Sequence, residues 1–224
     1  LESVGCGPPS SLPMRIGIDG RELLGQRTGV GRYLAELLTE WATSADDHHE
    51  FVIYTPGDAS SLTIAGREGA AISHFRQRPV PVRSGIWWEQ LDLAAVAQGD
   101  SLDVFFAPAY SAPLRLRIPC VVTMHDVSFM AHPEWFRWRE GLRRRVLAAQ
   151  TMSRARAVIT VSHFSRREIL RFCHVPSDRV HVVHSGVRGR APATEHRSSN
   201  PHVLYTGSIF NRRHVPTLIA AFRK

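Results

Sequence analysis

Apolar positions recur along this chain in two alternating periods. Arg15 to Asp19 (RIGID) is a short apolar run that reads as a strand. A loop with Gly20, Gly25 and Gly29 follows. Val30, Tyr33, Leu34, Leu37, Leu38 and Trp41 then fall at i, i+3, i+4, i+7, i+8 and i+11, which is one face of an amphipathic helix. Phe51 to Thr55 (FVIYT) predicts a second strand, closed by Pro56-Gly57. Residues 58–85 carry less pattern: one strand is expected near Ala71 to Phe75, then a loop of prolines and arginines. Ile86 to Ala97 has helical spacing. Val104 to Ala107 and Cys120 to Met124 are apolar runs bounded by prolines, hence buried strands. A long helix is expected over Glu134 to Ser153, a strand over Val158 to Val161, a helix over Ser162 to Cys173 and a strand over Val180 to Val183. Ser165 with Glu168 suggests a capping box, and Ser162 is the alternative cap one register earlier.

Strands alternating with helices imply right-handed crossovers and a parallel sheet covered on both faces. The expected fold is therefore an α/β, doubly wound, Rossmann-like domain over residues 14–187, whose ligand lies outside the carboxyl ends of the strands. Residues 1–13 are small, polar and rich in Pro and Gly, and predict a disordered lead-in before Met14. Residues 188–201 (RGRAPATEHRSSNP) are polar and aperiodic and predict a linker. Residues 202–224 hold an expected strand, His202 to Thr206, then a glycine-containing loop and an expected helix, Val215 to Phe222. They look like the first strand–helix unit of a second, truncated domain.

Composition narrows the class. With 224 residues, 43% apolar and 21% charged, the chain suits a globular domain and neither a disordered nor a fibrous one. No apolar run reaches the length of a membrane-spanning helix. The formal charge of +8 favours polyanions: phosphorylated substrates, an anionic membrane surface or nucleic acid. Cys6, Cys120 and Cys173 have no metal-ligand spacing, and the last two sit in apolar contexts that predict reduced core residues. Nothing in the spacing of the histidines predicts a metal site.

Five segments could carry chemistry. Thr28-Gly29-Val30-Gly31-Arg32-Tyr33 lies between the first strand and the first helix, where glycines and free N–H groups suit an anion, although the spacing alone, with two glycines, favours a bare tight turn. His125-Asp126 directly follows a buried strand; the imidazole suits a sugar or phosphate oxygen and the carboxylate suits hydroxyls or the imidazole, against a capping Asp with a packed His. Ser162-His163-Phe164-Ser165 also follows a strand, and helix capping explains its serines well. Gly207-Ser208 through Arg212-Arg213-His214 precedes a helix and suits a diphosphate, or is a solvated basic loop. Glu134 to Arg145 interleaves Trp135, Phe136 and Trp138 with five arginines. The plain reading puts those aromatics on the core side and the arginines in water; the alternatives are peripheral contact with an anionic membrane or, least favoured, nucleic acid.

Taken in order, these segments resemble the family-4 glycosyltransferases, retaining enzymes of the two-domain GT-B fold. Asp19-x-Arg21 with Thr28 to Tyr33 is similar to the family's opening. Thr123 to Phe129 with Pro133-Glu134 resembles its middle motif, and Arg156 to Ser165 the next. Val175-Pro176, Arg179-Val180 and His184 to Val187 resemble its hinge-proximal strand, and Leu204 to Gly207 through Phe222 the start of its donor domain. The resemblance implies an acceptor-binding first domain facing a domain that binds a nucleotide-sugar, either a GDP- or a UDP-sugar, as substrate. It implies no metal and no resident cofactor. It places the backbone at Gly29 and Gly31 against the donor phosphates and His125 beside the transferred sugar, with Asp126 next to it. Arg213 takes the place of a family lysine on the diphosphate, beside Arg212, and Ser208 stands where many members have Arg. Asp19, Arg21, Tyr33 and Ser162 belong to the same cleft. The acceptor is expected to be a glycan or a lipid-linked sugar, the transferred hexose mannose by motif similarity, and the location cytoplasmic, with peripheral contact at the inner face of the plasma membrane. The family's Glu-x7-Glu motif lies beyond Lys224, so this chain alone is expected to turn over negligibly, the alternative being a non-catalytic module of the same fold.

Overall fold

A computed structural model describes residues 12–25, 29–43, 49–58, 74–81, 85–187, 203–207 and 213–223. The chain divides into two units, residues 1–185 and 186–224. The expected lead-in (residues 1–11 of it) and linker lie outside the described residues.

The first unit is built on a seven-stranded parallel sheet in the order β3-β2-β1-β4-β5-β6-β7. Its strands are β1 (Arg15–Asp19), β2 (Glu50–Pro56), β3 (Phe75–Val80), β4 (Val104–Ala107), β5 (Cys120–Thr123), β6 (Ala157–Thr160) and β7 (Val180–Val182). The expected doubly wound, Rossmann-like α/β fold is thus present. β1 lies in the interior of the sheet, with Gly17 opposite Val52 of β2 on one side and Phe105 of β4 on the other. Strand order reverses there, and such a reversal opens a crevice at the strand tips.

Alternate residues of each strand face opposite sides of the sheet. Ile18, Phe51, Ile53 and Phe106 pack with Leu34 and Leu38 of α1 (Gly29–Thr43). Val52, Tyr54, Phe105, Val122 and Val158 belong to the other layer, with Leu93, Ala97, Ala148, Met152 and Ile169. Those last residues come from a π-helical turn (Trp88–Leu93) running into α2 (Ala94–Gly99), from α4 (Trp138–Arg154) and from α5 (His163–Phe172). A short α3 (Ser128–Ala131) precedes α4. Cys120 and Cys173 are free thiols, the first half-buried and the second buried.

Several expectations are corrected. The proline- and arginine-rich loop expected after Phe75 is itself the edge strand β3, in which Arg76 and Arg78 are exposed and Pro79 sits opposite Thr55. Edge strands tolerate proline and charge because one side of the backbone needs no partner. Residues 71–73 lie outside the described residues. The long helix expected from Glu134 is broken: a 3-10 turn spans Pro133–Trp135, Phe136 is extended, and α4 begins at Trp138. The break lets Phe136 pack on the core while Trp135 and Trp138 stay 44% and 70% exposed, so the plain reading of that segment fails for both tryptophans. It fails for Arg144 too, which turns back over the rings of Tyr110 and Phe136. Ser162, not Ser165, caps α5, accepting the Ser165 N–H at 3.0 Å.

In the second unit, α6 (Val215–Phe222) forms where helical spacing predicts it. Val203 to Thr206 are exposed and irregular, against the expected strand; an isolated strand with no described neighbour cannot satisfy its backbone in a ladder.

β1 is packed without slack at Gly17. A Cβ there would lie 2.4 Å from Leu102 Cδ1 and 3.0 Å from Phe105 Cδ2. Gly17→Ala is expected to cost about 1–3 kcal/mol in urea unfolding, with an unchanged slope against denaturant.

Candidate functional site

The strand tips of β1, β5 and β6 and the start of α1 share one edge of the sheet, because all strands are parallel. His125 stands two residues beyond β5 and is half-buried. Its Nε2 lies 3.1 Å from the Pro108 carbonyl, which only accepts, so Nε2 carries the hydrogen and Nδ1 keeps a free lone pair. Tyr33 of α1 meets the imidazole edge-to-face at 4.9 Å, and the Tyr33 hydroxyl lies 3.4 Å from Thr123 Oγ1 at the end of β5. Ser165 donates to the His125 carbonyl at 3.0 Å, and Ser162 Oγ donates to Ser165 Oγ at 3.0 Å. Pro108 and Tyr33 therefore hold the ring, and Ser165 holds the backbone of the same residue. Burial lowers the His125 pKa below its usual 6.5, against the opposing pull of the Pro108 carbonyl and the Asp126 charge. The ring is a neutral imidazole at pH 7 with one acceptor nitrogen, suited to a sugar hydroxyl rather than to an anion. Burial also raises the Tyr33 pKa, so its phenol stays protonated.

Asp126 is exposed, and its Oδ1 accepts the Ser128 N–H at 2.8 Å. That bond is the turn-forming use of an aspartate at the entry to α3. Gly29 opens α1 with nothing within 4 Å of where a Cβ would stand, whereas Gly31 is buried. Packing does not require a glycine at position 29, and the space above it is open.

A second polar cluster occupies the tip of β1. Asp19 and Glu89 are 1% and 2% exposed, and the Arg21 guanidinium lies between them, 2.8 Å from Asp19 Oδ2 and 2.7 Å from Glu89 Oε1. The Arg21 N–H also donates to Asp19 Oδ1 at 3.1 Å, and the guanidinium sits 5.8 Å from the Trp88 ring. Burial works against the Arg21 charge, but the two carboxylates outweigh it and raise its pKa. Burial pushes Asp19 up to about 6, with Arg21 opposing and Glu89 reinforcing the rise. Two carboxylates around one cation leave an excess negative charge, and proton uptake at Asp19 relieves it.

The structure thus joins Tyr33 and Ser162 to His125 and, separately, Asp19 to Arg21. Arg213 is exposed in the second unit; Ser208 and Arg212 lie outside the described residues. Sequence reasoning missed Glu89, the Pro108 carbonyl and the link through Ser165. Glu89 left a signal: it falls at i+3 from Ile86, on the stripe continued by Leu93 and Ala97, where a charge needs a partner. Among the described residues no group of three or more His, Cys, Asp or Glu side chains could hold a metal, and no helix is long and apolar enough to cross a membrane.

A doubly wound parallel sheet with flanking helices defines a Rossmann-like domain. A family model, Glycosyltransferase Family 4, matches residues 27–188, and the chain belongs to that family. The O-antigen chain mannosyltransferase B of Escherichia coli is 23% identical over 215 residues, covering 88% of this chain. This chain spans 56% of the length of that curated relative. A UDP-N-acetylglucosamine 2-epimerase structure from Rickettsia bellii aligns with a TM-score of 0.47 at 13% identity, over 78% of this chain and 45% of that one.

Asp19 generates a prediction. Its folded pKa of about 6 lies above the usual 3.8, so between those values the unfolded chain sheds the proton first. Stability relative to Asp19→Asn is expected to fall as pH rises from about 4 to about 6, by on the order of 2–3 kcal/mol, and to level off above. Parallel denaturant titrations across that range check the difference.

Proposed function

We propose that the first unit forms the acceptor-side wall of a sugar-transfer crevice, acting in retaining transfer of a hexose from a GDP- or UDP-sugar to a glycan or lipid-linked acceptor. The observation that carries this is the His125 ring, positioned at the tip of β5 by Pro108 and Tyr33 and kept neutral by burial, within a chain of Glycosyltransferase Family 4. His125 Nδ1 accepts a hydroxyl of the transferred sugar. The open backbone at Gly29, at the start of α1, approaches the donor phosphates, where the helix N-terminus favours negative charge. Arg212, Arg213 and Ser208 are the residues of the segment 186–224 that we assign to the donor diphosphate, on their match to the family's motif. Asp126 orders the turn that follows His125 and sets its charge near the sugar. The Asp19–Arg21–Glu89 cluster fixes the neighbouring strand tip. The Escherichia coli relative is a mannosyltransferase, which supports mannose as the hexose. No metal or resident cofactor enters this scheme, and the protein is placed in the cytoplasm, where sugar nucleotides are available.

Donor binding energy normally holds the sugar in attack geometry, and the residues here supply one wall of such a site. Turnover by the 224-residue chain is expected to be negligible beside that of a full-length family member.

Calorimetric titration with GDP-mannose and UDP-glucose tests the site. Weak, saturable binding to one of them is expected, with His125→Ala lowering affinity about tenfold and leaving the thermal melt within a few degrees. Equal affinity in wild type and His125→Ala would contradict the role given to the imidazole.

A further inference from the structure

The outward face of α4 has an unusual composition. Trp138, Leu142 and Val146 recur at every fourth residue and are 70%, 46% and 46% exposed. Trp135, just before the helix, is 44% exposed. At about 100° per residue, Arg139 and Arg143 run along one edge of this stripe and Arg145 along the other. The opposite side of the helix, with Leu147, Ala148, Thr151 and Met152, is buried. Arg144 belongs to that inner side and pairs with Glu140 at 2.6 Å.

Charge on this segment is predominantly positive. Between residues 134 and 146 there are five arginines and two glutamates. Glu140 is held by Arg144, and Glu134 lies 3.2 Å from His132 Nδ1. A shallow groove of about 490 Å³ is lined by Arg137, Trp138, Arg139, Glu140 and Arg143. The Arg139 guanidinium lies 5.2 Å from the Trp138 ring. Apolar residues on a solvent face mark a contact surface. Tryptophans flanked by arginines suit a layer that is apolar on one side and anionic at its border, which is the interface of a phospholipid bilayer. A protein partner covering the stripe would have to supply matching carboxylates for at least three arginines.

We propose that this face docks on an anionic phospholipid bilayer, with Trp135 and Trp138 at headgroup depth and Arg137, Arg139 and Arg143 on lipid phosphates. Because α4 follows β5 and the short α3, its first turn lies at the strand-tip edge of the sheet, the edge that carries His125. Docking brings the bilayer to that edge. Delivery of a lipid-linked acceptor there rests on the function proposed above; the docking itself does not.

Co-sedimentation of the full 224-residue chain with vesicles tests this directly. The vesicles are phosphatidylcholine alone or with roughly one third phosphatidylglycerol, at low and high salt. Binding is expected only to the anionic vesicles and is expected to weaken with salt. Arg139→Glu with Arg143→Glu is expected to weaken it by at least about tenfold, at roughly one kcal/mol per basic residue near the surface. Trp138→Ala is expected to weaken it several-fold. All three side chains are exposed, and an unchanged melting curve confirms the fold of each variant. Equal binding to both vesicle types, or variants that bind like wild type, would overturn the proposal. So would loss of vesicle binding in a few millimolar inorganic phosphate, or a dimer of this chain that Trp138→Ala dissociates without altering vesicle binding. No sugar nucleotide is present in the assay, so its failure leaves the transfer reading standing, and the converse also holds.

Discussion

β1 hydrogen-bonds on both sides, to β2 and to β4, and everything at the candidate site follows from that double pairing. The chain leaves β1 through α1 toward β2 and β3, then returns to build β4 to β7 on the other flank. Consecutive connections therefore diverge at the tips of β1 and β4, and the backbone cannot close over the gap. The pairing demands close approach, which is why Gly17 sits between Tyr54, Leu102 and Phe105 with no room for a methyl group. A sheet displaced at β1 would also move Asp19, and with it the partner of Arg21.

Polar groups at the strand tips are organised by what burial costs them. A buried carboxylate or guanidinium is tolerated only when paired, and Asp19 and Glu89 meet that condition by bracketing the Arg21 guanidinium. His125 solves the same problem differently. Its imidazole gives Nε2–H to a backbone carbonyl, stays neutral, and presents one unshared nitrogen. Ser165 serves structure and site together: its N–H donates to the Ser162 Oγ that caps α5, and its own hydroxyl donates to the carbonyl of His125.

Most strands were legible because each is an apolar run stopped by Pro, Gly or a polar pair, as in Val104–Ala107 and Cys120–Thr123. The helix α1 was legible because six apolar positions keep one face. β3 was not, since an edge strand needs no apolar alternation and Arg76 to Pro79 looks like loop. The break before α4 was hidden because Phe136 and Trp138 both satisfy helical spacing, and only tertiary packing chooses Phe136 for the core. Family membership was legible from motifs in the right order, and the match over residues 27–188 agrees with it. The partners of His125 were not legible, because Pro108, Tyr33 and Ser165 reach it from other elements. Nothing local in the sequence records such long-range contacts.

The central claim is that the sheet's carboxyl edge, and not another surface, receives the sugar nucleotide. An amide NMR titration of the chain with GDP-mannose tests it most directly. The account predicts shifts concentrated at Gly29, Gly31, Tyr33, His125, Asp126 and Ser162. Shifts gathered instead at the opposite edge, around Arg15, Asp103, Cys120 and Arg156, would contradict it.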